Sequence, residues 1–154
     1  NRRDTYGRTA LWCSTYSSHD SVTNRLLDEN DVDVNTLGKR WRDDKLSSSL
    51  HHLVYSIKDT TTLRRFLAMP SLNTNIRDTR GFSQSPLDLA ITQGNMAFVS
   101  LLLTHEKTHV NGIILYNDPP LHLATQAGRA DMVELLVSFL AINPRRFTCF
   151  KKTT

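Results

Sequence analysis

The chain has 154 residues, 39% of them hydrophobic and 22% charged, a composition typical of one soluble domain with a buried core. Its net charge of +4 comes from four residues near the C-terminus, Arg145, Arg146, Lys151 and Lys152. Because the other 15 basic and 15 acidic side chains balance, the sequence argues against nucleic-acid binding by the main part of the chain. The basic tail alone is left as an alternative site for nucleic acid or another anionic surface.

The longest mostly apolar run, 133–142, contains Glu134 and is about half as long as a bilayer span, so we expect no membrane insertion. Cys13 and Cys149 are far apart and lack the spacing of metal ligands, which favours a reducing compartment, the cytoplasm or the nucleus. Since the sequence begins at Asn1 and stops soon after its last apolar cluster, we expect a fragment of a longer protein.

Four segments repeat one pattern along the chain. They open with the triplets Thr9-Ala10-Leu11, Ser48-Ser49-Leu50, Ser85-Pro86-Leu87 and Pro119-Pro120-Leu121. About 15 residues later they reach the apolar clusters Leu26-Leu27, Phe66-Leu67, Leu101-Leu102-Leu103 and Leu135-Leu136-Val137. The triplet leucines are 39, 37 and 34 residues apart, a period that indicates a stack of small units with function on an extended surface.

Each unit is predicted to hold two short helices. In the fourth, Leu121, Ala124 and then 132–136 fall at helical spacing on either side of Gly128. Gly128, like Gly94 one unit earlier, stands where a first helix ends in a left-handed conformation that glycine adopts at no steric cost.

The predicted starts of the first helices carry matching signals. Pro86 and Pro120 suit the first helical position, where the N–H that proline lacks has no partner in any case. Thr9 and Ser85 supply hydroxyls that can cap a helix start. The apolar clusters are expected to face the core.

These units resemble ankyrin repeats. The fourth matches best, with Pro119-Pro120-Leu121-His122-Leu123-Ala124, then Gly128, then Val133-Glu134-Leu135-Leu136. The third keeps the same order over 78–111, and the first over 4–35 with Ser18 in place of the glycine between its helices. The second is the most degenerate and keeps Leu50-His51-His52-Leu53 and 63–67.

The resemblance implies a single all-α domain over 1–154, an ankyrin-repeat solenoid of helix-turn-helix units with short finger hairpins. Its repeats span approximately 4–35, 43–77, 78–111 and 115–141, and 142–154 form a basic tail outside the repeat pattern. The link 36–47 is about five residues longer than usual, so the second finger hairpin is expected to protrude. After Val137 the sequence is either an apolar cap on the last helix pair or translated intron, since a GTAAGT splice donor would read Val-Ser.

The segment His105-Glu106-Lys107-Thr108-His109 matches HExxH, in which two histidines one helical turn apart bind zinc and the glutamate activates water. A zinc-dependent hydrolase is therefore one alternative. In the register above, however, the helix that begins near Met96 ends by His105, and His109 falls in a turn. The motif is therefore interpreted as a linker between units, and no metal, cofactor or catalytic residue is expected.

The resemblance also places His122, and with it His51 or His52, where ankyrin histidines bond to neighbouring backbone, with Asp88 in the corresponding place of the third unit. In the core, Leu101 and Leu135 are expected to be buried, so that truncating either would destabilise the array.

The resemblance implies a non-catalytic module that binds a partner protein through its finger tips and the exposed faces of its first helices, with no small-molecule substrate. Carried over by position, the partner-binding residues are Tyr6, Arg8, Tyr16, Arg40, Trp41, Arg42, Tyr55, Arg80, Phe82, Gln93 and Gln126. Tyr55 and Phe82 have packing between units as an alternative. Because the charges along this strip are mixed, no preference for the sign of a partner's charge is predicted. The sequence does not reveal which protein the partner is.

Overall fold

The computed structural model describes residues 1–40, 43–55, 60–79, 83–110 and 119–143. Within these ranges the backbone forms eight α-helices and one two-stranded sheet. The helices are α1 (Ala10–Tyr16), α2 (Asp20–Leu26), α3 (Ser49–Leu53), α4 (Thr61–Leu67), α5 (Pro86–Gln93), α6 (Met96–Thr104), α7 (Pro120–Gln126) and α8 (Ala130–Ile142). The strands β1 (Leu37–Arg40) and β2 (Asp43–Ser48) lie between α2 and α3.

The helices form a linear stack of four pairs. Each first helix packs on the second helix of its own pair, and the first helices also pack in chain order, α1 on α3, α3 on α5 and α5 on α7. On the other side of the stack, α2 lies against α4 and α6 against α8. Contacts between successive pairs are what a solenoid requires, so the expected architecture is confirmed.

Local sequence signals set the starts of the first helices. Thr9 and Ser85 cap α1 and α5, each accepting at its hydroxyl oxygen from the backbone N–H three residues later, at 3.2 Å in both cases. Pro86 and Pro120 are the first residues of α5 and α7, as their missing N–H favours.

The turns between paired helices use a left-handed residue. Gly94 and Gly128 have φ values of 72° and 66°, as expected from their place in the repeat. Ser18 takes the same conformation between α1 and α2, with φ 55°. A side chain in this conformation costs about 1–2 kcal/mol, so the first unit keeps the turn of the third and fourth units at the expense of some strain.

β1 and β2 pair antiparallel as the expected finger hairpin, and its base is held on both sides. Lys39 donates its backbone N–H to the carbonyl of Tyr6 at 3.1 Å, and Thr79 donates to the carbonyl of Leu46 at 3.0 Å. The hairpin is therefore held by backbone hydrogen bonds to the first and third units. Residues 41 and 42, between β1 and β2, lie outside the described residues, and the protrusion of the hairpin stays a prediction.

Asparagines link the ends of successive units. Asn35 donates from Nδ2 to the carbonyl of Ser71 at 2.7 Å and accepts at Oδ1 from the N–H of Asn73 at 2.8 Å. Asn75 repeats this pair of bonds one unit later, at 2.7 Å to the carbonyl of Lys107 and 2.7 Å to the N–H of residue 109. These bonds satisfy backbone groups that lie beyond the helix ends, and they fix the spacing between neighbouring units.

The core contains the repeat leucines, but the expectation for two of them was wrong. Leu102 and Leu136 are completely buried, whereas Leu101 and Leu135 are only half-buried. One residue along a helix turns the side chain by about 100°, and a run of consecutive leucines does not reveal which of them faces inward. The packing of α6 and α8 on the rest of the stack determines which leucine faces the core.

The last helix is longer than the other second helices. α8 has 13 residues, compared with nine in α6, and continues past Val137 to Ile142. Phe139 packs against the core from this extension. Because Ile142 is 77% exposed, only part of this extension covers the core, and the apolar cap stays a prediction.

Candidate protein-interaction surface

Five side chains of the first unit and the finger hairpin form a continuous row, which we call the aromatic stack. The guanidinium carbon of Arg8 lies 4.8 Å from the ring centroid of Tyr6 and 5.7 Å from that of Trp12. The Trp12 and Tyr16 rings are stacked, with centroids 5.1 Å apart and an angle of 15° between planes. The guanidinium of Arg40 covers Tyr16 at 5.3 Å. Each guanidinium thus lies against an aromatic ring and the two central rings stack on each other, an arrangement that is favourable by cation–π and stacking energy.

Arg8 is held in the stack by an ion pair. Its guanidinium lies 2.6 Å from the Asp4 carboxylate, and its side chain is 17% exposed. The hydrogen bond from Arg8 lowers the pKa of Asp4, and the same bond raises the pKa of Arg8. The charge of Arg8 is therefore already matched within the chain.

Trp12 joins the first helix to the finger hairpin. The indole is completely buried, and its Nε1–H donates to the carbonyl of Ser47 in β2 at 2.6 Å. Gly38 in β1 faces the same indole, and a Cβ on this glycine would come within 3.0 Å of Nε1. Glycine at position 38 therefore allows the hairpin to lie against Trp12, which fixes the floor of the surface.

His52 of α3 completes the cluster from the second unit. Its ring stands edge-on to Trp12, with centroids 4.5 Å apart, and to Tyr16, with centroids 5.3 Å apart. Nδ1 lies 3.2 Å from the hydroxyl of Thr15, and Nε2 lies 2.9 Å from the hydroxyl of Ser47. Bonds at both nitrogens fix the imidazole, so the aromatic rings keep one arrangement without a ligand.

A pocket of about 430 Å³ opens beside these rings, and we call it the Tyr16–Tyr55 pocket. Its lining consists of Thr15, Tyr16, Ser18, Arg40, Ser47, His52 and Tyr55. Tyr16 is 43% exposed and Tyr55 51% exposed, so both rings are accessible from solvent beside the pocket. None of the described residues in this lining is acidic.

A family model described as ankyrin repeats in three copies matches residues 50–147, more than half of the chain. The chain belongs to the ankyrin-repeat family. Ankyrin repeats are a general protein–protein interaction module. The first helix pair lies outside the matched residues, but α1 packs on α3 just as α3 packs on α5, so it is one more unit of the same stack. Among curated proteins, no match to the chain was found.

Several of the expected ankyrin surface positions come together in space. Tyr6, Arg8, Tyr16 and Arg40 belong to the aromatic stack, and Tyr55 lies beside it in the pocket and not in the core. Gln93 and Gln126 are exposed at the ends of α5 and α7, further along the array. The other expected positions, Trp41, Arg42, Arg80 and Phe82, lie outside the described residues.

The sequence interpretation missed two residues that support the surface, the buried Trp12 and the part-buried His52. A signal for Trp12 was present, because Trp12 and Tyr16 are four residues apart and such side chains share one helix face. His52 had no comparable local signal, since its partner Thr15 is 37 residues away in sequence.

The other histidine of α3 has a structural role, as the ankyrin resemblance implied. His51 is completely buried, and its Nε2–H donates to the carbonyl of Gln84 in the next unit at 3.0 Å. Nδ1 lies 2.8 Å from the hydroxyl of Ser48. Asp88 takes this role in the third unit, where it accepts from the N–H of Ser85 at 3.0 Å. His122 is exposed.

The HExxH segment does not lie on one helix. α6 ends at Thr104, His105 is already extended with ψ 123°, and His109 donates its backbone N–H to the side chain of Asn75 at 2.7 Å. The two histidines therefore lack the one-turn spacing on a rigid helix that the zinc motif requires. In the part of the chain that the structure describes, no three histidine, cysteine, aspartate or glutamate side chains gather closely enough to hold a metal ion.

No helix among the described residues is long and apolar enough to cross a membrane.

Proposed function

We propose that the chain is a non-catalytic ankyrin module that binds a partner protein through the aromatic stack and the Tyr16–Tyr55 pocket. The observation that carries this proposal is the exposure of two tyrosines beside rings that are already fixed by hydrogen bonds. The proposed surface continues along the first helices to Gln93 and Gln126. Trp41, Arg42, Arg80 and Phe82 are kept as predicted contacts.

The chemistry of this surface suits protein recognition. Tyrosine, tryptophan and arginine dominate the binding energy of protein interfaces, because they combine large apolar area with few freely rotating bonds or with planar donors. Here the rings of Trp12 and His52 are immobilised before any partner arrives, so little side-chain entropy is lost on binding. A partner would meet a rigid surface formed by two successive units.

The proposal also covers the cellular compartment of the module and the bounds of its repeats. Cys13 is half-buried, and burial raises the pKa of its thiol; the compartment proposed for the module stays the cytoplasm or the nucleus, as the sequence interpretation had it. The proposed repeats are those of the sequence interpretation, approximately 4–35, 43–77, 78–111 and 115–141, with further repeats or domains of a longer protein as additional partners. HExxH is proposed to act as a linker.

Affinity capture from a native lysate tests the proposed surface. The wild-type chain is compared with Tyr16→Ala and Tyr55→Ala, each verified as folded by circular dichroism. We expect the proteins captured by the wild type to be depleted by about 30-fold or more in each variant, because truncating an interface hot spot costs about 2 kcal/mol or more.

Val22→Ala is the matched control for this capture. Val22 is 49% exposed, as the tyrosines are, but it lies on α2, the second helix of its pair. Its variant should retain the captured proteins. Equal capture by all four proteins, or a loss confined to Val22→Ala, would contradict the proposed surface.

A further inference from the structure

The basic groups on the first-unit and finger surface differ in how they are paired. Arg8 is bound to Asp4, and Lys39 donates to Asp44 at 2.9 Å. Arg40 makes no ion pair with any described side chain, and its Nε–H donates to the hydroxyl of Tyr16 at 3.2 Å. The charges of Arg8 and Lys39 are therefore neutralised by neighbouring carboxylates, whereas the guanidinium of Arg40 at the pocket has no described acidic partner.

The Tyr16–Tyr55 pocket offers hydrogen-bond donors to an incoming group. Because the oxygen of Tyr16 accepts from Arg40, its own O–H is left to donate, and the guanidinium keeps its terminal N–H groups. Ser18 and Tyr55, which each carry a hydroxyl group, also line the pocket, and no described lining residue is acidic. A carboxylate accepts hydrogen bonds at both oxygens and donates none, so it matches this set of donors.

The size and the walls of the pocket add a second requirement. Its volume of about 430 Å³ is at the small end of the range for ligand sites and suits one or two side chains. The exposed parts of Tyr16 and Tyr55 supply contact area beside the charged group. An acidic side chain would accept from the donors of the pocket, and an adjacent apolar side chain would pack against the tyrosines.

We infer that the Tyr16–Tyr55 pocket binds a glutamate or aspartate side chain of the partner protein, next to an apolar residue, with Arg40 as the charged contact. This inference rests on the proposed function and specifies the chemistry of the partner. A single arginine suits one carboxylate, whereas recognition of a phosphorylated side chain uses clusters of arginines.

Selection of short random peptides displayed on phage tests the inference with the wild-type chain as bait. Enriched peptides are then synthesised without phosphate and with amidated C-termini, so that only side-chain carboxylates remain. We expect them to share an acidic residue beside an apolar one. Replacing that acid by its amide should weaken binding to the wild type about tenfold, the size of a charge-assisted bond, and should change binding to Arg40→Gln by less than about twofold.

Arg64→Gln is the matched control, because Arg64 is an exposed arginine on α4, a second helix. Its variant should respond to the acid-to-amide change as the wild type does. The inference is overturned if no peptide is enriched above an uncoated surface, if the required acid is equally important for Arg40→Gln, or if binding needs phosphate or a free C-terminus. Peptides that depend on Tyr55 but not on an acid would overturn it and leave the proposed function intact. Peptides unaffected by both Tyr16→Ala and Tyr55→Ala would count against the proposed function as well.

Discussion

His51 illustrates how one buried polar side chain joins two units. The carbonyl of Gln84 can only accept, so Nε2 of His51 carries the hydrogen, and Nδ1 is left to accept from the backbone N–H of Ser48 at 3.3 Å. This neutral form satisfies both partners without a buried charge. The ring thus caps the start of its own helix and also bonds to the next unit, which explains why the position is polar although it is completely buried.

Replacing His51 by alanine is expected to destabilise the chain by about 1–3 kcal/mol, because the substitution removes both bonds and leaves buried groups without these partners. Urea unfolding followed by circular dichroism measures the loss. His122→Ala is the control, since His122 occupies the same place in its repeat but is exposed, and its effect should stay within about 0.5 kcal/mol. Equal losses in the two variants would show that burial of His51 is not what matters.

At the scale of an element, the left-handed backbone of the turn between paired helices restricts the residue type most clearly. Gly94 and Gly128 meet that restriction, while Ser18 adopts the left-handed conformation with a side chain. The two glycines also differ from each other. A methyl group on Gly94 would collide with the guanidinium of Arg129, whereas on Gly128 it would meet no atom within 4 Å. Position 128 therefore isolates the backbone contribution from any clash.

Ser18→Gly is expected to stabilise the chain by about 0.5–1 kcal/mol, since the relief of left-handed strain exceeds the added flexibility of the unfolded chain. Gly128→Ala should act in the opposite direction and cost about 1–2 kcal/mol. Both changes are measured as shifts of the urea midpoint at constant denaturant slope. A destabilising Ser18→Gly would mean that the serine hydroxyl makes a contact worth more than the strain.

At the scale of the whole molecule, stability is shared between neighbouring units. The first helices form one continuous row, and the asparagine bonds repeat from unit to unit on the outside of this row. In such a stack each unit depends on its neighbours for burial of its apolar face. A cavity in an inner unit should therefore weaken the array beyond its own helix pair.

Leu102→Ala tests this packing in the third unit. Because Leu102 is completely buried, we expect a loss of about 2–5 kcal/mol in the free energy of unfolding. Its neighbour Leu101 is half-buried, and Leu101→Ala should cost clearly less. Chemical denaturation of the two variants compares them directly, and a larger loss for Leu101→Ala would reverse the inward face assigned to α6.

The positions of several candidate surface residues could be predicted from the sequence, whereas the pairing of their charges could not. Tyr6, Arg8 and Tyr16 could be placed because their position within a repeat defines their side of the stack. The pairing of Arg8 with Asp4 and the lack of a described acidic partner for Arg40 could not be read from composition, since charges cancel only where the fold brings them into contact.

The sequence by itself determined the repeat, the helix caps and the left-handed turns. The repeat shows as a period of 34 to 39 residues along the chain, whereas the caps and turns depend on interactions within a few residues, as at Thr9, Ser85 and Gly94. Only the tertiary structure decided which leucine of a run is buried, and that Tyr16, Arg40 and His52 form one pocket. Arg40 and Tyr16 are 24 residues apart, and His52 bonds to a residue 37 positions away, because units that are distant in sequence become neighbours only when they stack.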